Sequence, residues 1–246
     1  MNVISSSYGN DSIALIQWAH ERALQSVTVV YCDTGWSAPG WPRRVIDGER
    51  LAKKYGFATA QVKSLGMQEL VRMKDGFPGN AQQFCTAHLK GLPFAQWIDE
   101  ADREGRAAVL IGKRRAESVK RRQTREIVGE GSEYHGGRKL WHPLYGHSDA
   151  ARNALLERAG FEPLPHRSLE CNPCVNANRE DFLRLTPGEI ERVNYLEVEI
   201  GRPMFRPKRF NALGIYGVIQ WAKHGRDRGD IEAETAQCES LFGCGL

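Results

Sequence analysis

The chain of 246 residues, 41% hydrophobic with evenly mixed charge, is long enough to bury a core as one large α/β domain or two small ones. No apolar run approaches the roughly 20 residues of a membrane helix, and the N-terminus lacks a signal-peptide layout, so no membrane contact and a cytoplasmic location are expected. Six cysteines are too few for a disulfide scaffold, and a net charge of +4 suits an anionic ligand without arguing for nucleic acid.

In chain order, Val3-Ile4 reads as the end of a strand and Ser5-Ser6-Ser7-Tyr8-Gly9-Asn10-Asp11-Ser12 as a tight loop. The apolar-periodic run 13–24 then reads as a helix. Residues 26–32 form a β-branched strand ending in Asp33-Thr34-Gly35, and 42–55 a second helix. Residues 58–62 read as a short strand and 107–111 as a buried one ending in Gly112. Strands separated by helical patterns imply right-handed crossovers, hence an α/β fold: a mainly parallel twisted sheet with helices on both faces. Ligands in such sheets sit beyond the carboxyl ends of strands, so the loops at 5–12, 33–35 and 112–122 are expected to converge. Residues 129–139 are polar and Gly-rich and read as a loop over the site. Ser148 caps a helix over 148–159, and Thr186-Pro187 opens another. The expected division is a nucleotide-binding α/β domain over 1–165 and a helical and loop extension over 166–246 that carries cysteines and packs on the same domain.

The chemistry follows from four groupings. Strand, Ser/Gly loop and helix start place unpaired N–H groups and the positive end of a helix dipole around one concavity, a phosphate site, to which Ser5, Ser6, Ser7 and Ser12 add hydroxyls. Asp33 at a strand end can hold a ribose hydroxyl or a metal-bound phosphate, with Gly35 allowing the turn. The run from Gly112 to Arg122 crowds cations behind a strand, where Arg114, Arg115 and Arg121 can clamp phosphate or sulfate oxygens bidentately; a solvated basic face or a nucleic-acid patch is the alternative. Cys171-Asn172-Pro173-Cys174 has the spacing of a metal pair or a reversible disulfide, and Cys85, Cys238 and Cys244 bring further soft donors, enough for a [4Fe-4S] cluster or zinc. Cys32, in mid-sheet, reads as core.

Ser7-Tyr8-Gly9-Asn10-Asp11-Ser12 resembles the Ser-x-Gly-x-Asp-Ser phosphate loop of the adenine nucleotide α-hydrolase (PP-loop) superfamily, and within it the PAPS and APS reductases (sulfonucleotide reductases). Asp33-Thr34-Gly35 matches the tripeptide those enzymes carry after the second strand, and Arg114, Ser118 and Arg121 match their Arg-x-x-x-Ser-x-x-Arg after a glycine, with Arg115 a near alternative. The resemblance implies that the loop, Asp33 to Gly35, Lys90, Gly112, Arg114, Arg115, Ser118 and Arg121 bind an adenine nucleotide (APS, PAPS or ATP). Cys85, with Lys90 and Pro93 in register, is similar to the family's Cys-Cys-x-x-Arg-Lys-x-x-Pro segment, but Thr86 and Leu89 stand where the second Cys and the Arg belong. The implied cluster ligands are Cys85, Cys171 and Cys174, with Cys238 as the substitute fourth. The ending Cys244-Gly245-Leu246 is similar to the family's Glu-Cys-Gly-Leu-His tail, which implies Cys244 as a nucleophile that forms S-sulfocysteine, released as sulfite by an external dithiol such as a thioredoxin. Gly243 replaces the Glu and no His follows, so Cys244 and Cys238 can exchange roles. Two alternatives stand beside this: ATP-dependent thiolation of DNA or tRNA, which the Asp11-Ser12 pair favours, and a non-enzymatic cluster- or zinc-binding protein.

Overall fold

The computed structural model describes residues 1–79, 82–118, 121–129, 133–205 and 213–224. β1 (Asn2–Ser5) lies mid-sheet, parallel to β2 (Val27–Asp33) on one side and to β4 (Ala108–Ile111) on the other. β3 (Ala58–Lys63) continues beyond β2, and β6 (Lys139–Trp141) beyond β4, both parallel. β5 (Ile127–Val128) closes the far edge antiparallel, giving the order β3-β2-β1-β4-β6-β5. The chain leaves β1 toward β2 and returns on its other side as β4. The loops after β1 and β4 therefore part, and a crevice opens between them at the switch in strand order.

Alternating strand residues build two cores. Ile4, Val29, Tyr31 and Leu110 face α1 (Asn10–Glu21), α2 (Trp41–Lys54) and α6 (Asp149–Arg158). Val3, Val30, Cys32, Val109 and Ile111 face Phe94 and Ile98 of α5 (Leu92–Ala101). This is the mainly parallel α/β sheet, covered on both faces, that the pattern predicts. A third core joins Trp36 and α3 (Met67–Met73) to α7 (Arg179–Leu183), α8 (Pro187–Ile200) and α9 (Gly214–His224). Ser148 caps α6 by accepting from Ala151 N at 3.2 Å, and Thr186 with Glu189 forms a reciprocal cap on α8, whose first residue is Pro187.

The structure departs from the sequence pattern in two places. Residues 64–106 give no readable period, yet they hold α3, α4 (Phe84–Thr86), a π-helical turn (Ala87–Gly91) and α5. Gly66, Gly76, Gly79, Gly91 and Pro93 break the hydrophobic spacing, and Pro93 is tolerated because it lies in the first turn of α5. The stretch read as a loop to residue 139 ends in β6, a strand of three residues and too short for period-2 alternation to register. Among the described residues no helix is long and apolar enough to cross a membrane.

Tyr8 is fully buried with φ of 56°, and a Cβ added to Gly48 of α2 would lie 2.2 Å from its Cδ1. The ring cannot shift without moving the loop. Gly48→Ala should cost about 1–3 kcal/mol by overpacking, a fall in Tm of roughly 2–12 °C for a chain of this size. An unchanged thermal denaturation midpoint would show that the loop is not braced by α2.

Candidate functional site

A cavity of about 390 Å³ opens at the switch point, between the loop after β1 and the loop after β4. Ser5, Ser7, Gly9 and Ser12 line it. The serine hydroxyls first satisfy the loop itself: Ser6 Oγ accepts from Tyr8 N (3.1 Å), Ser7 Oγ from Gly9 N (3.3 Å) and Ser12 Oγ from Ser7 N (3.2 Å). Ser7 and Ser12 hydroxyls also touch at 3.3 Å. A hydroxyl that accepts keeps its O–H to donate, and the first-turn N–H groups of α1 have no intrahelical acceptor, so this wall presents donors. Gly112 must be glycine here. A Cβ at that position would stand 2.9 Å from the Asp11 carbonyl oxygen, so the end of β4 approaches α1 only without a side chain.

Asn10 and Asp11 are structural as well as cavity-lining. Asn10 clips the segment across the cavity to the loop, donating Nδ2 to Leu164 O and accepting from Leu164 N, both at 2.9 Å. Asp11 Oδ1 receives Arg114 Nε at 2.5 Å, and Arg114 Nη2 reaches Asp149 at 2.9 Å, so this buried guanidinium is held by carboxylates. Arg121 pairs with Glu117, whose carboxyl is raised above its usual range by burial and by Asp11. Arg115 lies outside the cavity, its guanidinium over the Tyr145 ring at 5.3 Å. Ser118 also lies off the lining, where its Oγ accepts from Arg121 N at 3.2 Å.

The loop after β2 faces a second, smaller cavity of about 40 Å³. Asp33 accepts from Gly35 N at 2.9 Å, while Thr34 lines this cavity and donates its hydroxyl to Glu170 O at 2.6 Å. Cys85, Cys171 and Cys174 line it too. Trp36 and Cys171 form a parallel β-bridge, Asn172 N donates to Trp36 O (2.8 Å), and Ala38 N to Leu169 O (2.9 Å). Arg192 of α8 stacks over Trp36 at 4.0 Å and donates to Asn172 O at 2.6 Å, gripping the Cys-x-x-Cys from the other side. Lys90 lines the same cavity in a buried ion pair with Glu170. Burial pushes the Cys171 thiol up, the Cys174 and Cys85 sulfurs push it further, and Lys90 opposes them. Cys32 donates to Lys90 O, at 3.6 Å, and burial raises its thiol to about 12, the behaviour of a core cysteine.

The structure thus brings the β1 loop, Gly112, Arg114 and Arg121 to one cavity, and Thr34, Lys90 and three cysteines to the other. Arg167 and Ser168 line both and form the partition. Neither has a sequence signal beyond standing just before the Cys-x-x-Cys, and Arg152, a further cavity residue, is one cation in a polar helix. Cys238 and Cys244 lie outside the described residues.

A family model, the phosphoadenosine phosphosulfate reductase domain, matches residues 1–194, from β1 through the Cys-x-x-Cys into α8. The chain belongs to this family. Among solved structures, the PAPS reductase domain is similar to the crystal structure of phosphoadenylyl-sulfate (PAPS) reductase from Candida auris in phosphate complex, at 16% identity over 66% of this chain and 74% of that one, with a TM-score of 0.48. No curated protein matches the sequence.

The charges around Cys171 in this PAPS reductase domain make a signed prediction. Lys90→Met removes the cation that holds the thiol down, so Cys171 in reduced, chelator-treated protein should alkylate roughly three- to tenfold more slowly at pH 8. Glu170→Gln should speed it by a similar factor. Timed iodoacetamide labelling read by peptide mass spectrometry checks both, and shifts of the same sign would show that packing rather than charge sets the reactivity.

Proposed function

We propose that this chain is a sulfonucleotide reductase-like oxidoreductase that binds an adenine nucleotide along the β1 loop and reduces its sulfuryl group to sulfite. One observation carries this reading: a donor-lined cavity at a helix N-terminus shares a wall, Arg167 and Ser168, with a cavity lined by three cysteines, in a chain of the PAPS reductase family. Loop hydroxyls and α1 N–H groups hold the nucleotide phosphate, and the surrounding arginines favour charge that grows on the phosphate as its bond to sulfur breaks. Cys244 thiolate attacks the sulfur. An S–S bond forms, the S–O bond breaks, and its electron pair leaves on the nucleotide phosphate, giving AMP or its 3'-phosphorylated form. A dithiol donor of the thioredoxin kind then attacks the S-sulfocysteine, releasing sulfite and becoming a disulfide.

Cys85, Cys171 and Cys174 bring three soft donors to one cavity, the ligand chemistry of an iron–sulfur centre. Among the described residues no group of three or more His, Cys, Asp or Glu is placed to hold a single ion, and Cys238 is the proposed fourth donor. Bound there, a [4Fe-4S] cluster would tie the segments of Cys85 and of the Cys-x-x-Cys together.

A second reading, ATP-dependent thiolation of nucleic acid, draws on the acidic part of the lining. Asp11, Glu117, Asp149, Glu180 and Asp181 edge the phosphate cavity, each ion-paired with an arginine there, and a nucleotide that arrives with a cation would draw on them by displacing those pairs.

Incubation of anaerobically purified protein with 35S-labelled APS or PAPS should leave the label on Cys244, and Cys244→Ser should abolish both label and sulfite release. Sulfite release that survives the substitution removes the nucleophile assignment. Pyrophosphate release from ATP with DNA or tRNA, in the absence of any label, moves the function to thiolation. Iron and acid-labile sulfide analysis of the same preparation should give iron, and a Cys171→Ser variant should lose it.

A further inference from the structure

Asn176 stands two residues past Cys174, is only 7% exposed and lines the cysteine cavity. Its backbone oxygen accepts from Arg167 Nη1 at 3.0 Å, which pins the turn after the Cys-x-x-Cys to the wall between the two cavities. Its side chain reaches the other cysteine segment: Asn176 Oδ1 takes a long contact of 3.4 Å from Nε2 of Gln83, two residues before Cys85. The other arm of the amide is unspent. Asn176 Nδ2 is buried and has no hydrogen-bond partner among the described residues. A buried donor without an acceptor carries the full cost of leaving water, so its place on a cavity wall points to an acceptor that arrives with a ligand.

Oxygen on this lining is already engaged. The Glu170 carboxylate is ion-paired with Lys90, and the Glu170 carbonyl accepts from Thr34. The other acceptor chemistry here is the sulfur of Cys85, Cys171 and Cys174. A neutral thiol accepts weakly, and burial favours the neutral form at Cys171. A metal centre ligates deprotonated cysteine, and a ligated thiolate carries the charge that makes a strong acceptor. The Asn176 amide therefore gains its partner when the cysteines hold a metal.

We infer that Asn176 donates from Nδ2 to a metal-bound sulfur in this cavity, a positioning residue that stabilises charge on sulfur without ligating the metal. The inference rests on the soft-metal reading of the three cysteines above and goes beyond it, since it assigns a residue that supplies no ligand atom. A hydrogen bond of this kind also tunes the potential and the metal–sulfur vibrations of the centre.

Anaerobically purified wild type, Asn176→Leu and Asn176→Gln test this. Asn176→Leu should give up iron to a chelator roughly tenfold faster than wild type, and Asn176→Gln, which keeps an amide, should recover part of the difference. Resonance Raman spectra in H2O and D2O should show an iron–sulfur band that shifts on deuteration in wild type and shifts less in Asn176→Leu. After the iron is stripped, the melting temperature of Asn176→Leu should equal or exceed that of stripped wild type, because the substitution removes a donor that has no acceptor there. A melting temperature that falls as far in the stripped variant as in the loaded one shows a packing role and overturns the inference. Wild type that holds iron, with variants that match it in release rate and deuterium shift, overturns the inference and leaves the metal reading standing. Wild type that holds neither iron nor zinc removes the metal reading and the inference with it.

Discussion

Backbone pairing between the loop after β2 and the segment around Cys171 is the constraint on which the site depends. The Trp36 to Cys171 bridge, with its flanking bonds from Ala38 and Asn172, stitches residues more than 130 positions apart. Closing so long a loop costs entropy, offset by the apolar cluster around Trp36 and by the stacking of Arg192 on its ring. That stitch turns the Cys-x-x-Cys toward Cys85. It also lays residues 164–168 across the phosphate loop, where Asn10 clips them at Leu164. Two cavities separated by one short wall are the result. Without the pairing, the cysteines and the phosphate loop would belong to different parts of the molecule.

Charge in the larger cavity is arranged as a lattice of pairs. An arginine bonded to a carboxylate keeps its position when no ligand is present, so the cavity is preorganised rather than collapsed by repulsion among six cations. The same pairing limits what each arginine offers a ligand, because an anion must compete with the carboxylate already there. Arg114, buried between Asp11 and Asp149, supports the cavity in this way. The small cavity has the opposite imbalance. Three sulfurs gather with one Lys and Glu pair beside them, and desolvation keeps the Cys171 thiol protonated above the usual range.

Much of the fold was legible from pattern. Val3-Ile4, residues 26–32 and residues 107–111 are β-branched or apolar runs, and all three are parallel strands. The caps at Ser148 and Thr186 were equally readable, because a cap is a local interaction between a side chain and an amide three residues on. The 64–106 region was not, since its helices are short and punctuated by glycine and proline, and their stability comes from burial against Trp36 and the sheet.

For the site, the amino-acid sequence by itself determined the chemistry available: a Ser/Gly loop before a helix, a cluster of arginines after a strand, and a Cys-x-x-Cys. These are contiguous motifs, and contiguity fixes local geometry. Tertiary structure alone decided which of these groups share a cavity, that Thr34 faces the cysteines while Arg115 turns to Tyr145, and that Arg152 and Ser168 complete a wall. Those outcomes depend on strand order, on a glycine at 112 that lets β4 meet α1, and on a long-range bridge. None of them leaves a periodic trace in the chain, because periodicity records which face of an element is buried and not what it is buried against.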